Sequence, residues 1–163
     1  MEKMKELIPY IVILILVILL KLFIVTPIRV NGTSMMNTLH PKDIMILNKT
    51  AYLTKNPKRF DIVVVRLEDE DIIKRVIGLP GEVIEYKDNT LYVNGKKVEE
   101  KVKGLNTADY KSEKIPADYY LVMGDNREAS YDGRAFGFIK KKQILGRTSL
   151  VILPFNRIGN KNK

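Results

Sequence analysis

The pattern of apolar and polar positions divides the chain in two. Residues 7–28 are apolar apart from Pro9, Lys21, Thr26 and Pro27, and residues 11–20 form an unbroken aliphatic run. About 20 such residues, rising 1.5 Å each in a helix, cover the ~30 Å hydrocarbon layer of a bilayer. Pro9 lies in the first turn, where a missing N–H is tolerated, and Pro27 marks the expected exit. Lys21 can snorkel its ammonium to the nearer interface. The run is longer than the apolar core of a cleaved leader, and Val30-Asn31-Gly32 matches a cleavage site only loosely. Residues 1–28 therefore read as a cytoplasmic end followed by one uncleaved transmembrane helix. Lys3 and Lys5 favour a cytoplasmic N-terminus, but Glu2, Glu6, Lys21 and Arg29 leave the orientation open on charge alone.

From residue 29 onward the pattern switches to short β-type runs between turn residues. Strands are expected at 44–47, 61–66, 72–77, 83–86, 119–123 and 148–152. Residues 91–93 and 96–98 flank Asn94-Gly95, a strong hairpin signal. Only 139–145 suggests a short helical stretch. Many short strands at this spacing predict a mainly β domain, a barrel or sandwich, over residues 29–163. Residues 84–117 are more polar than their surroundings and read as a small β insertion.

Composition narrows the chemistry. The chain has 163 residues and a net charge of +9, from 28 Lys and Arg against 19 Asp and Glu. Such a balance permits an anionic membrane face or nucleic acid as a partner. The basic residues are scattered, however, and no nucleic-acid motif accompanies them, so no nucleic acid is expected. The longest basic run, 140–142, reads as a solvated turn, with a lipid contact as the alternative. There is no cysteine, which excludes disulfides, thiolate metal sites and a Cys nucleophile. One histidine, His40, leaves a zinc site with carboxylates alone, so no metal is expected. His40 sits in a Leu-His-Pro turn six residues after Ser34 and reads as an exposed turn residue.

A serine nucleophile without a histidine needs another base, and lysine can serve. Lysine is protonated at neutral pH, but burial beside apolar groups disfavours the charged form. In Ile72-Ile73-Lys74-Arg75-Val76-Ile77, Lys74 shares a strand face with Ile72 and Val76, and Arg75 shares the other with Ile73 and Ile77. Alternation leaves open which face is buried. Arginine does not deprotonate, so of the two only Lys74 could be a base.

Three segments resemble the conserved boxes of the type I signal peptidases. Gly32-Thr33-Ser34-Met35-Met36-Asn37-Thr38-Leu39 is similar to their nucleophile box, and residues 74–82 resemble their lysine box almost throughout. Gly124-Asp125-Asn126-Arg127, followed by Ser130, Asp132, Arg134 and Gly137, resembles their third box. The boxes fall in the family's order after the apolar segment. The resemblance implies a signal-peptidase-like β-barrel catalytic domain and a membrane-bound serine endopeptidase that removes signal peptides, with no cofactor.

It further implies that Ser34 is the nucleophile, Lys74 the general base and Ser130 the hydroxyl that orients Lys74. Met35 would shape the site, while Asp125, Asp132 and Arg134 would form an ionic network holding the third box. Substrates would carry small residues before the cut, and the domain would lie on the extracytoplasmic side of the cell membrane. Asn37 stands where the family usually has Pro, Ala129 and Gly133 replace the commoner Asn and Ser, and Gly32 lacks a hydroxyl that some members use at the oxyanion. The alternative reading is a non-catalytic membrane-anchored binding protein that keeps the fold. Intact Ser34, Lys74 and Ser130 count against it.

Overall fold

A computed structural model describes residues 2–68 and 70–161, with side chains described from 6–19 and from 24 onward. The surroundings of Lys3, Lys5 and Lys21 thus lie outside the described residues. Helix α1, Glu2–Phe23, carries the aliphatic run, and strand β1, Val25–Arg29, follows it. The helix therefore stops short of residue 28. Ile24, Val25, Thr26 and Ile28 are β-branched, and Pro27 both disfavours a helical Thr26 and withholds an N–H. Proline is tolerated on an edge strand, and β1 is such an edge, pairing only with β2, Ile44–Asn48. Every described side chain of α1 from 6 to 19 is exposed. Among the described residues, no helix is long and apolar enough to cross a membrane.

The main sheet continues through β3 (Ile62–Arg66), β4 (Asp71–Gly78), β9 (Tyr119–Met123), β10 (Ile139–Lys140) and β11 (Ile144–Leu153). Its order is β1-β2-β11-β3-β4-β9-β10, and β12, Gly159–Asn160, pairs with β11. A second sheet is built from β5 (Ile84–Lys87), β6 (Thr90–Val93), β7 (Lys96–Val98) and β8 (Tyr110–Lys111), in the order β7-β6-β5-β8. Asn94 and Gly95 both take positive φ, 50° and 77°, as a tight hairpin between β6 and β7 requires. Residues 139–145 differ from the helical expectation. They form β10, a single 3₁₀ turn at Lys141–Gln143 and the start of β11. The Gln143 side chain accepts from the Lys140 amide and closes that turn.

The apolar positions settle into three packed groups. Ile77, Ile84, Leu91, Ile115 and Leu121 join the two sheets. Val63, Val65, Val76 and Val122 fill one side of the main sheet. Val30, Met35, Leu39, Met45, Ile62 and Val151 form the third group. Strand β4 contributes to both sides, so neither of its faces is solvated over residues 74–78. Lys74 and Arg75 are consequently both buried, at 3% exposure each.

Candidate active site

The chain between β1 and β2 folds into a tight turn carrying Ser34. The amides of Thr38 and Leu39 both donate to the Met35 carbonyl, and that of Met36 to Thr33. Met35 and Leu39 are buried in the third apolar group, which fixes the turn from below. Asn37 has a φ of 88°, a left-handed conformation open to Asn but closed to proline. Its side-chain amide donates to the Gly104 carbonyl at 3.2 Å, linking the turn to the loop that follows β7. The departure at residue 37 thus goes with a different local backbone.

Strand β4 brings Lys74 to this turn. Lys74 Nζ lies 2.7 Å from Ser34 Oγ, the lysine nitrogen donating. The two open into a cleft of about 410 Å³, lined on one side by residues 29–32 and on the other by 70–74. Burial drives the Lys74 pKa down from its ordinary value of 10.5, and the Asp132 and Glu70 carboxylates partly oppose this. Arg134 adds to the lowering.

The third box packs against both. Asn126 donates its backbone amide to the Ser34 carbonyl at 2.9 Å and its side-chain amide to the Thr33 carbonyl at 3.2 Å. Gly124 is required for the approach: a Cβ there would lie 2.2 Å from Ser130 Oγ and 2.3 Å from the Ser34 carbonyl oxygen. Gly133 is equally confined, since its Cβ would fall 2.7 Å from Leu121 and 2.8 Å from the Val122 carbonyl. A Cβ on Gly32 would meet nothing within 4 Å. Ser130 Oγ is buried near the Asp132 carboxylate, whose pKa it helps to lower, and among the described residues makes no hydrogen bond to Lys74. His40 is exposed, and its backbone amide donates to Asp43.

The expected ionic network has a different wiring. Asp132 caps the short helix α2, Gly133–Phe136, accepts from the Gly124 amide and pairs with Arg134 at 2.9 Å. Burial of Asp132 opposes its ionisation, but Arg134 and the Gly124 amide prevail and hold its pKa below the ordinary value of 3.8. Asp125 instead takes a two-pronged bond from Arg75, Nε at 2.8 Å and Nη2 at 2.7 Å. The Thr38 hydroxyl donates to the same carboxylate. Reading the sequence for a base set Arg75 aside. Its burial was the missed signal, since a buried guanidinium calls for a carboxylate. Arg127 was also missed. It is buried, pairs with Glu100 at 2.6 Å, donates to Thr107 and to the Gly124 carbonyl, and so ties the loop after β7 to the third box.

With this geometry in place, comparison with known proteins is decisive. Residues 4–153 match the family model for signal peptidase, peptidase S26. Signal peptidase I of Bacillus amyloliquefaciens is 40% identical over 160 residues, covering 91% of this chain and 86% of that protein. Signal peptidase IB of Staphylococcus aureus is 42% identical over 154 residues, covering 82% and 81%. The crystal structure of a signal peptidase I from Enterococcus faecalis superposes with a TM-score of 0.52 at 38% identity, covering 57% of this chain and 97% of that one. The chain belongs to the peptidase S26 family and is a type I signal peptidase, a serine endopeptidase that removes signal peptides.

Three outcomes are expected from the geometry. In the role of a base Lys74 would have to be neutral, so on that assignment kcat/KM should rise with pH through an apparent pKa below 10.5, and Lys74→Arg should remove activity at every pH. A pH–rate profile on a peptide substrate checks both. Asp125→Ala strands a buried guanidinium and should lower stability by about 3–5 kcal/mol in urea unfolding.

Proposed function

We propose that Ser34 and Lys74 form the catalytic dyad of this peptidase and that α1 anchors it in the cell membrane. Neutral Lys74 takes the Ser34 proton as Oγ attacks the scissile carbonyl. The tetrahedral intermediate collapses to an ester on Ser34 as Lys74 returns the proton to the leaving amine. Water, deprotonated by Lys74, then attacks the ester, and Lys74 returns that proton to Ser34 Oγ as the ester C–O bond breaks and the signal peptide leaves with a free carboxylate. The single observation that carries this reading is the 2.7 Å contact between Ser34 Oγ and the Nζ of a lysine buried to 3% exposure.

Ser130 is assigned to orient Lys74, its hydroxyl being buried where the Gly124 backbone passes the Ser34 carbonyl. The Ser34 amide serves the oxyanion, and Met35 shapes the floor of the cleft. The Asp132–Arg134 and Asp125–Arg75 pairs hold the third box. Among the described residues, 71–74 pair with β3 only, because β9 joins β4 from Arg75 onward. Their free edge, facing residues 29–32 across the cleft, suits an extended preprotein segment added as a strand. By the family resemblance, that segment carries small residues at the first and third positions before the cut.

The anchor reading rests on α1. Its 22 residues span about 33 Å at 1.5 Å each, and its described side chains from 7 to 19 are apolar and exposed all round, apart from Pro9 and Tyr10. A helix apolar on every face needs an apolar surrounding. Phe155 and Ile158, at 80% and 53% exposure, add an apolar edge beyond β11. Lys3 and Lys5, ahead of the apolar run, favour a cytoplasmic N-terminus only weakly against Glu2 and Glu6, and it is the family resemblance that puts the catalytic domain on the extracytoplasmic side.

Cleavage of a signal-peptide-bearing precursor by the detergent-solubilised protein should occur after a small residue. Ser34→Ala and Lys74→Ala should each reduce the rate by roughly 10⁴-fold or more, as for other hydrolase nucleophiles and bases. Cleavage surviving Lys74→Ala would remove lysine from the base's role.

A further inference from the structure

A depression of about 680 Å³, separate from the catalytic cleft, lies between the turn after β2 and the segments 117–119 and 140–144. Four lysines line it, Lys49, Lys140, Lys141 and Lys142, against one carboxylate, Asp118. The wall is held together by its own contacts. Lys141 Nζ donates to Asn56 at 2.8 Å, and its amide to the Asp118 carbonyl at 2.8 Å. The Lys140 ammonium stands 5.6 Å from the Tyr119 ring centroid, where the aromatic face supports the charge without neutralising it. An ammonium bonded to one neutral amide oxygen still has N–H groups and its full charge to offer an anion.

Position identifies the anion. The Lys49 amide donates to the Ile24 carbonyl at 2.9 Å, so the rim of the depression is hydrogen-bonded to the residue that follows α1. Leu53, also in the lining, is 76% exposed at the end of the turn closed by its amide to Thr50. An exposed aliphatic side chain beside clustered lysines, a hydrogen bond away from the end of an apolar helix, is what an interfacial lipid contact requires.

We propose that this basic depression binds the phosphate of anionic lipid headgroups, with Leu53 entering the acyl boundary. The proposal rests on α1 as the membrane anchor. The site is a second, electrostatic attachment that sets how the β domain stands on the bilayer, and thereby how the cleft meets a membrane-tethered preprotein.

The chain lacks cysteine, so Thr54→Cys gives a single labelling position that leaves Leu53 in place. The full-length protein, carrying an environment-sensitive fluorophore there, is mixed in detergent with phosphatidylcholine or with equal parts phosphatidylcholine and phosphatidylglycerol, and vesicles are formed and floated. Co-flotation reads the anchor. Blue shift of the probe and quenching by spin-labelled lipid read the headgroup site. The expected result is co-flotation with both compositions, but blue shift and quenching only with phosphatidylglycerol. Replacing lysines 140–142 together by Gln should cut the docked-to-free ratio on the order of a hundredfold, at roughly fivefold per charge. Cleavage of a short soluble peptide should persist, which shows that the variant is folded. Inorganic phosphate at matched ionic strength should leave the signal unchanged, whereas displacement by it would mark a free-phosphate site and overturn the lipid assignment. Co-flotation with equal probe signals in both compositions, or an unchanged signal in the triple variant, overturns the proposal and leaves the anchor standing. Flotation with the anionic vesicles alone, lost in the triple variant, sinks the anchor and keeps the headgroup site. Flotation with neither sinks both.

Discussion

The arrangement turns on one buried carboxylate. Asp125 accepts both prongs of Arg75 and the hydroxyl of Thr38, so a single side chain joins residues from all three segments that build the site. Arg75 is the immediate neighbour of Lys74, and Thr38 lies four residues from Ser34. Removing two charges from water costs several kcal/mol per ion, and an apolar pair of similar volume often does as well. The worth of this pair is therefore directional: a guanidinium fork and a carboxylate meet in one geometry, and apolar side chains would not fix the turn and the strand in register.

That fixed register makes the chemistry reachable. Lysine is a poor base in water because it holds its proton, and the protein weakens that hold by burying Lys74 rather than by surrounding it with positive charge. Burial comes from β4 being covered on both sides from residue 74 onward. The nearby Asp132 and Glu70 work against neutral Lys74, so the site is a balance in which desolvation prevails. Asp132 keeps its own charge satisfied by Arg134 and the Gly124 amide. It can thus hold the third box without a proton from Ser34 or Lys74. Gly124 completes the geometry, since any side chain there would collide with Ser130 and the Ser34 carbonyl.

Much of this was legible in the sequence, and the parts that were not have physical causes. Strand runs such as 119–123 and the Asn94-Gly95 hairpin show in local pattern, because period-two alternation and positive φ are local properties. Ser34 and Lys74 were legible through the boxes, and the structure brings them within 2.7 Å. The end of α1 was not, since largely apolar character runs on from helix into β1, and β-branching at 24–28 together with Pro27 marks the change. Residues 139–145 misled because a strand end, a 3₁₀ turn and a strand start together imitate helical spacing. The pairing of Asp125 with Arg75, fifty positions away, lies beyond any local pattern.

The central claim is that burial leaves Lys74 able to work as a neutral base. It is tested most directly by NMR titration of the protein with ¹³Cε-labelled lysine, Lys74→Ala identifying its resonance. The account predicts one lysine signal that titrates below the ordinary value of 10.5, apart from the exposed lysines. A Lys74 resonance titrating at or above 10.5 would contradict it.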